Sequence, residues 1–327
     1  MGRKNFEAQL EALDRLGEQP VETWTEPLRT ALRLRYNYVA AKAAEMAGRQ
    51  RIADLLPDLL SAYDRFFEDP VKTDPQCWAK NALSRALAAL ELQDPQPFLR
   101  GLKHFQLEPV WGGRSDTAGT LRSTCAHALV QCREVSEPEL LRHLVSALTD
   151  PDKNVRVEVA RAIEHLDSPS SSLLLRLRAD IGGSDPDLVE LFGVCYSAVL
   201  RLEGNSALPW AAKFLAAEDD AAGEAALAIA ATHAPEAFAM LKERWQKTED
   251  PWFSSVLLSA VALTRQSEAT DFLLKLVTEE DLRADQALEA LLRSMPSDEV
   301  IEQVRASIQG NRKLEKVFAD HRSTGPQ

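Results

Sequence analysis

The chain is built on a recurring pattern. Counted from Asp150, the residues ten, twelve and thirteen positions on are Ala160, Ala162 and Ile163. From Asp250 they are Ala260, Ala262 and Leu263, and from Asp116 they are Ala126, Ala128 and Leu129. Small residues at two of these offsets let one helix approach another closely, and the large one fills the space between them. Weaker copies begin at Asp74, Asp185, Asp219 and Asp281, so successive origins lie 42, 34, 35, 34, 31 and 31 residues apart. A period of that length holds one helix hairpin. With 327 residues the chain exceeds what one compact core usually holds. Stacking like units, each packed on its neighbours, escapes that limit.

The unit is helical. The chain is rich in Ala, Leu, Glu and Arg and has only 14 glycines, a composition that favours helix. Leu28, Leu32, Val39, Ala43 and Met46 trace one apolar face, and so do Leu140, Leu141, Leu144, Val145 and Leu148. Alternating β-branched runs and Asn-Gly or Asp-Gly turns are missing, so almost no strand is expected. Asp-Pro opens helices at Asp74-Pro75, Asp150-Pro151, Asp185-Pro186 and Asp250-Pro251. The Asp side chain can take the orphan amides of a first turn, and Pro lacks an N–H that would be unpaired there anyway.

The run Asp150-Pro151-Asp152-Lys153-Asn154-Val155-Arg156, continuing through Ala160 and Ala162 to Ile163, resembles the second helix of a HEAT repeat. The copies at Asp116 and Asp250 keep the small-residue core but lack the Val-Arg pair, and the short C-terminal period is similar to that of bacterial HEAT-like proteins. The resemblance covers about residues 52–310. It implies an all-α fold, a right-handed α-solenoid of about seven helix pairs plus end helices. The pairs expected are 52–68 with 75–91, 96–106 with 114–133, 137–148 with 152–166, 169–180 with 186–202, 205–216 with 219–232, 235–246 with 250–264, and 267–277 with 281–294. Helices at 4–17, 25–48 and 297–309 would close the ends. The domain reading is therefore 1–51 as N-terminal capping helices, 52–310 as the repeat array and 311–327 as a C-terminal tail, frayed from Ser323 to Gln327. The family is informative about fold and says little about function.

Composition narrows the function. No apolar run approaches the roughly 18 residues of a membrane span, and Met1 to Glu7 lacks the apolar stretch of a signal peptide. Four cysteines (Cys77, Cys125, Cys132, Cys195) do not make a disulfide framework. A reducing cytoplasm is expected. The net charge is −12, and residues 181–310 alone carry 10 basic against 22 acidic side chains. Such an excess disfavours nucleic acid, whose phosphates need cations. The second helices of the first three pairs hold 8 basic and 5 acidic residues, those of the last four 3 and 9. An inner face so graded would favour a partner of opposite polarity.

No HExxH, GxSxG, GxGxxG or Walker sequence is present, and neither a catalytic residue, a metal site nor a cofactor is assigned. Cys125 and Cys132 share a helix face, while His127 is turned away from it, so buried structural cysteines are expected. Arg35, Lys42 and Arg49 recur every seven residues, as an anion site or as a solvated helix face. Arg156, in the family's Val-Arg position, is expected to pair with Asp150 or a neighbouring Asp. Trp24, Trp78, Trp210, Trp245 and Trp252 are expected to pack between repeats. Residues 104–122 fit the repeat least, because Trp111 is followed by Gly112-Gly113. Either this loop projects Glu108, Trp111 and Arg114 for recognition, or Trp111 plugs a gap between repeats, which is the plainer reading. With Arg122 and Arg161 on basic second helices, these are the candidate binding residues. The expected function is a non-catalytic scaffold for a protein or peptide. The alternatives are a lyase- or chaperone-like protein handling a small molecule such as a tetrapyrrole, and, behind it, a nucleic-acid-binding HEAT protein.

Overall fold

The computed structural model describes residues 2–279, 281–294 and 297–323. It is all-α apart from one β-hairpin, and among the described residues no helix is long and apolar enough to cross a membrane. The chain forms two compact units, 1–166 and 167–327.

The first unit holds α1 (Gly2–Leu16), α2 (Thr25–Leu32), α3 (Asn37–Arg49), α4 (Leu56–Phe66), the one-turn α5 (Pro70–Thr73), α6 (Trp78–Ala89) and α7 (Gln96–Leu102). Strands β1 (Leu107–Val110) and β2 (Gly113–Asp116) follow, then α8 (Gly119–Leu129), α9 (Glu137–Ala147) and α10 (Lys153–Glu164). Within it α3 packs on α6, α6 on α8 and α8 on α10. Each also packs on the helix that precedes it in its hairpin: α2 on α3, α4 on α6, α7 on α8 and α9 on α10. The small residues make this possible. A Cβ placed on Gly48 would lie 2.9 Å from the Cα of Ala86, so α3 and α6 meet nearly backbone to backbone. Ala126, Ala160 and Ala162 are fully buried, as are Leu129 and Ile163.

The second unit holds α11 (Pro169–Ile181), α12 (Val189–Glu203), α13 (Leu208–Ala212), α14 (Asp220–Ala231), α15 (Ala237–Lys247) and α16 (Pro251–Leu263). It continues with α17 (Ser267–Thr278), α18 (Ala284–Arg293), α19 (Asp298–Ser307) and α20 (Arg312–Ser323). Here α12 packs on α14, α14 on α16 and α16 on α18. Asp250, of an Asp-Pro pair, caps α16 by accepting from Phe253 N at 2.6 Å, as that signal predicts, and Asp219 caps α14 in the same way (Ala222 N, 2.9 Å). At Asp150-Pro151 the expectation is corrected: Asp152 caps α10, accepting from Asn154 N at 2.8 Å, while Asp150 accepts from Asp152 N at 2.9 Å one turn earlier. Residues 311–327, set aside as a tail by sequence, contain α20, which packs on α18. Of the frayed end expected at Ser323 to Gln327, residues 324–327 lie outside the described residues.

Two expectations of element shape are corrected. The single helix expected over 25–48 is two helices, because Arg65 of α4 donates to the carbonyls of Leu32 (2.6 Å) and Leu34 (3.1 Å). That side chain satisfies the end of α2 and lets the chain turn before α3. The irregular loop expected at 104–122 contains a hairpin pairing Leu107 with Asp116, Glu108 with Ser115, Pro109 with Arg114 and Val110 with Gly113. Its turn is Trp111-Gly112, with Gly112 at φ 88°, a turn that places the positive φ at its second residue and needs no Asn-Gly.

Candidate functional site

A buried polar chain anchors the hairpin. Asp74, fully buried, accepts from Ala79 N (2.9 Å) and Lys80 N (3.0 Å), and so caps α6 from four residues ahead of it. This reach depends on Gln76 and Cys77, which both adopt left-handed backbone (φ 62° and 55°). Two successive non-glycine residues there store strain that neighbours must hold in place. Glu108 of β1 supplies one such hold: its Oε1 accepts from Gln76 N (2.5 Å), Gln106 Nε2 (2.7 Å) and Thr117 Oγ1 (2.7 Å). Burial pushes the Glu108 carboxyl up, but these donors outweigh it and leave it below its ordinary value.

The chain runs on through charged residues. Lys80 Nζ, also fully buried, lies 3.0 Å from Asp74 Oδ2. Arg122 is wholly buried and holds Asp150 with two contacts, Nε–Oδ2 2.8 Å and Nη2–Oδ1 2.9 Å. Its Nη1 donates to Asp116 Oδ2 (2.7 Å) and to the His104 carbonyl (3.0 Å). Arg156 donates to the Asp150 carbonyl at 2.9 Å. Asp150 thus meets Arg156 through its backbone carbonyl and Arg122 through its carboxylate. Desolvation disfavours the charged Arg122, yet the two carboxylates raise its pKa on balance.

One spacing recurs, an acid followed six residues on by a base: Asp74 with Lys80 and Asp116 with Arg122, which are ion pairs, and Asp150 with Arg156, which meet through the Asp150 carbonyl. Residues six after the later origins are Leu191, Ala225, Val256 and Ala287, so the ladder belongs to the first unit. Sequence reasoning noted only Arg156, although aligning the repeat origins exposes all three.

Above this base stands the hairpin tip, where Trp111 is 104% exposed. The reading in which Trp111 plugs a gap between repeats is therefore wrong: the turn at Gly112 carries the indole off the helices. Arg114, on β2, is exposed and has no ion pair among the described residues. Phe105, Leu107 and Val110 are each about half exposed. The structure thus gathers Glu108, Trp111, Arg114 and Arg122 around one hairpin and divides their labour. Glu108 and Arg122 hold its base, so Arg122 is corrected from a binding to a structural residue, while Trp111 and Arg114 face outward. Arg161 lies apart, on α10, 2.6 Å from Glu158, whose other oxygen contacts His127 at 2.8 Å.

Other candidates also resolve. The seven-residue basic stripe is interrupted: Arg35 precedes α3, and Lys42 is ion-paired with Asp14. All four cysteines are free and buried, as was expected for Cys125 and Cys132, and burial pushes Cys125 and Cys195 up to about 12 and Cys77 and Cys132 up to about 11. Trp24, Trp210 and Trp245 are buried, but Trp78 and Trp252 are 47% and 46% exposed, which packing between helices does not account for.

Trp78 marks a cleft that sequence reasoning missed. A volume of about 470 Å³ lies between the start of α6 and the hairpin, lined by Gln76, Trp78, Asn81, Val110, Ser115 and Thr120 among others. Trp78 and Asn81 also line a second cleft of about 310 Å³, with Tyr38, Lys42, Glu45 and Arg85. The only sequence sign was a Trp at a helix start, where polar residues are commoner. No protein-family model matches this chain, and no curated protein matches it either.

Proposed function

We propose that this chain is a non-catalytic scaffold of HEAT-like type, a right-handed α-solenoid of about seven helix pairs, that binds a protein or peptide partner along the face of its second helices. One observation carries the reading: a tryptophan wholly in solvent at the tip of a hairpin whose base is fixed by a buried ion-pair chain. An exposed Trp gains nothing for folding, while rigid aromatic anchors dominate the energetics of binding interfaces. The serial packing of second helices within each unit supports the repeat reading, and four free buried thiols support a cytoplasmic setting.

A tetrapyrrole role draws on Cys77, which lines the 470 Å³ cleft. Its thiol donates to Gln106 Oε1 at 3.2 Å and is pushed up to about 11, far from the thiolate that covalent attachment requires. Nucleic acid is disfavoured by the acidic second unit.

The test is capture from native lysate by the wild type and by a Trp111→Ala, Arg114→Ala double variant. Loss of a specific partner in the variant, with unchanged melting, is the expected result. A partner held equally by both moves recognition off the hairpin. No partner with either, together with a shifted absorption band on adding biliverdin or protoporphyrin, transfers the assignment to small-molecule handling.

A further inference from the structure

The register of the hairpin fixes which backbone groups its edges offer. In an antiparallel pair, opposite residues alternate between exchanging both hydrogen bonds and exchanging none. Pro109 has no N–H, so Pro109 and Arg114 are a pair that exchanges none. Thr117 N donates to the Gln106 carbonyl at 3.0 Å, which sets the bonded pairs in the same phase. The bonded pairs are therefore Glu108 with Ser115 and Val110 with Gly113, and Arg114 and Asp116 turn their N–H and C=O groups outward from β2. Among the described residues these outward groups meet no partner, and no helix packs along β2.

The two edges differ. On β1 the outward groups belong to Leu107 and Pro109, and Pro109 cannot donate, which guards that edge against pairing. On β2 both outward residues can donate and accept, and Gly113, Arg114 and Ser115 are exposed. Such an edge specifies its occupant through the main chain. Another extended backbone meets it group for group, because its own N–H and C=O groups alternate at the same spacing.

Side chains add the charge of that backbone. Arg114 is exposed and has no ion pair among the described residues. In antiparallel register, the partner residue that exchanges both bonds with Arg114 sets its side chain beside the guanidinium, where an acid is favoured. The residue before it stands opposite Ser115 and turns to the other face. Glu108, Ser115 and Thr117 share that face, since Thr117 Oγ1 donates to Glu108 Oε1 at 2.7 Å, and all three line the cleft of about 470 Å³ beside Trp78. One residue earlier the partner meets Asp116. Its carboxylate is already taken by Gln106 N, Ala118 N and Arg122 Nη1, so this position makes no charge demand. In the other direction the partner chain leads past Gly113 to the tip, where Trp111 stands in solvent.

We propose that β2 takes an extended segment of a partner protein as a third, antiparallel strand, paired through the N–H and C=O groups of Arg114 and Asp116 and carrying an acidic residue opposite Arg114. This rests on the scaffold reading and names the conformation, the charge and the seat of the segment bound.

The test pans a phage-displayed library of random dodecapeptides on the full chain and prepares the strongest binder as a blocked synthetic peptide. An acidic position shared by the selected sequences is expected. N-methylation along the peptide should abolish binding at alternate residues and be tolerated between them, since only every second N–H faces β2. Arg114→Pro removes one outward N–H and no bond to β1, as Pro109 does on the opposite strand. It should weaken binding by roughly tenfold or more, because a peptide carbonyl is left unpaired. Arg114→Ala keeps the N–H and should cost only about threefold, the worth of an exposed ion pair. Melting temperatures check that both variants fold, and if Arg114→Pro does not, the N-methyl scan alone decides. No selected peptide, an N-methyl pattern without alternation, or Arg114→Pro binding as well as Arg114→Ala overturns the proposal. So does a wild-type dimer in sedimentation that Arg114→Pro dissociates, which gives the edge to a second copy. If a Trp111-dependent partner is captured equally by wild type and Arg114→Pro, the scaffold reading stands and this one falls. If neither partner nor peptide is found, both fall.

Discussion

Arg122 and Trp111 are eleven positions apart in the chain and opposite in their physics. Arg122 has no exposed surface and touches two carboxylates. Arg122→Met would strand Asp116 and Asp150, and removing one partner of a buried pair costs about 3–5 kcal/mol. A denaturant melt should show that loss, whereas Arg161→Ala, on a half-exposed pair, should stay within about 0.5 kcal/mol. A small effect of Arg122→Met would mean that water reaches the pair. Acid should also loosen the hairpin base. Glu108 and Asp116 are both held below their ordinary values, burial pushing them up but hydrogen bonds outweighing it. Groups with depressed folded values stabilise above the unfolded value and lose that contribution as pH falls through the folded one. His104 adds to this: burial lowers it from 6.5, so the unfolded chain takes its proton first and stability starts to decline below that pH. The melting temperature should therefore fall on acidification, and Glu108→Gln should flatten the part of the decline between about pH 5 and pH 3. An unaltered slope in the variant would remove Glu108 from the account.

Elements differ in how much of them a sequence can announce. The second helices were legible because the same small-small-large triplet recurs at every good origin, and Ala160, Ala162 and Ile163 are fully buried where the pattern puts them. Ala162→Asp would set an unpaired charge in that seam and should cost several kcal/mol, at the upper end of what single changes do. A melting temperature equal to wild type would mean the seam opens to water. The hairpin was not legible. Its strands are four residues long, carry Pro109 and lack alternation, and its register is enforced from outside. Asp116 Oδ1 accepts from Gln106 N (2.9 Å) and Ala118 N (3.1 Å), and Thr117 N donates to the Gln106 carbonyl (3.0 Å). The break between α2 and α3 is tertiary in the same sense, being made by Arg65 of a different helix. Of the site, Trp111 and Arg114 stood out because Gly-Gly beside Trp is unusual. Tyr38 and Trp78 did not, since nothing local says that two aromatics in separate helices will meet.

On the scale of the molecule the two units carry different electrostatics. Residues 1–166 hold 22 basic and 24 acidic side chains, a net of −2, and residues 167–327 hold 16 and 26, a net of −10. The acid-base ladder, the hairpin and the clefts beside Trp78 all lie in the first unit. So do the contacts that build them, from Asn37 Nδ2 on Asp74 Oδ1 (3.1 Å) to Arg122 on Asp150. Each unit has its own buried core, and a compact unit of this size is within the range that folds alone. A fragment of residues 1–166 should therefore melt cooperatively and capture whatever partner the full chain captures through Trp111. The prediction is separable into two readings. A fragment that melts without cooperativity says that the first unit depends on the second for its core. A fragment that folds yet captures nothing says that the partner needs residues beyond 166, and the acidic unit would then supply the affinity. That second outcome has its own signature. Binding that draws on an excess of ten negative charges should weaken steeply with added salt, while binding anchored on the solvent-exposed Trp111 ring should show little salt dependence.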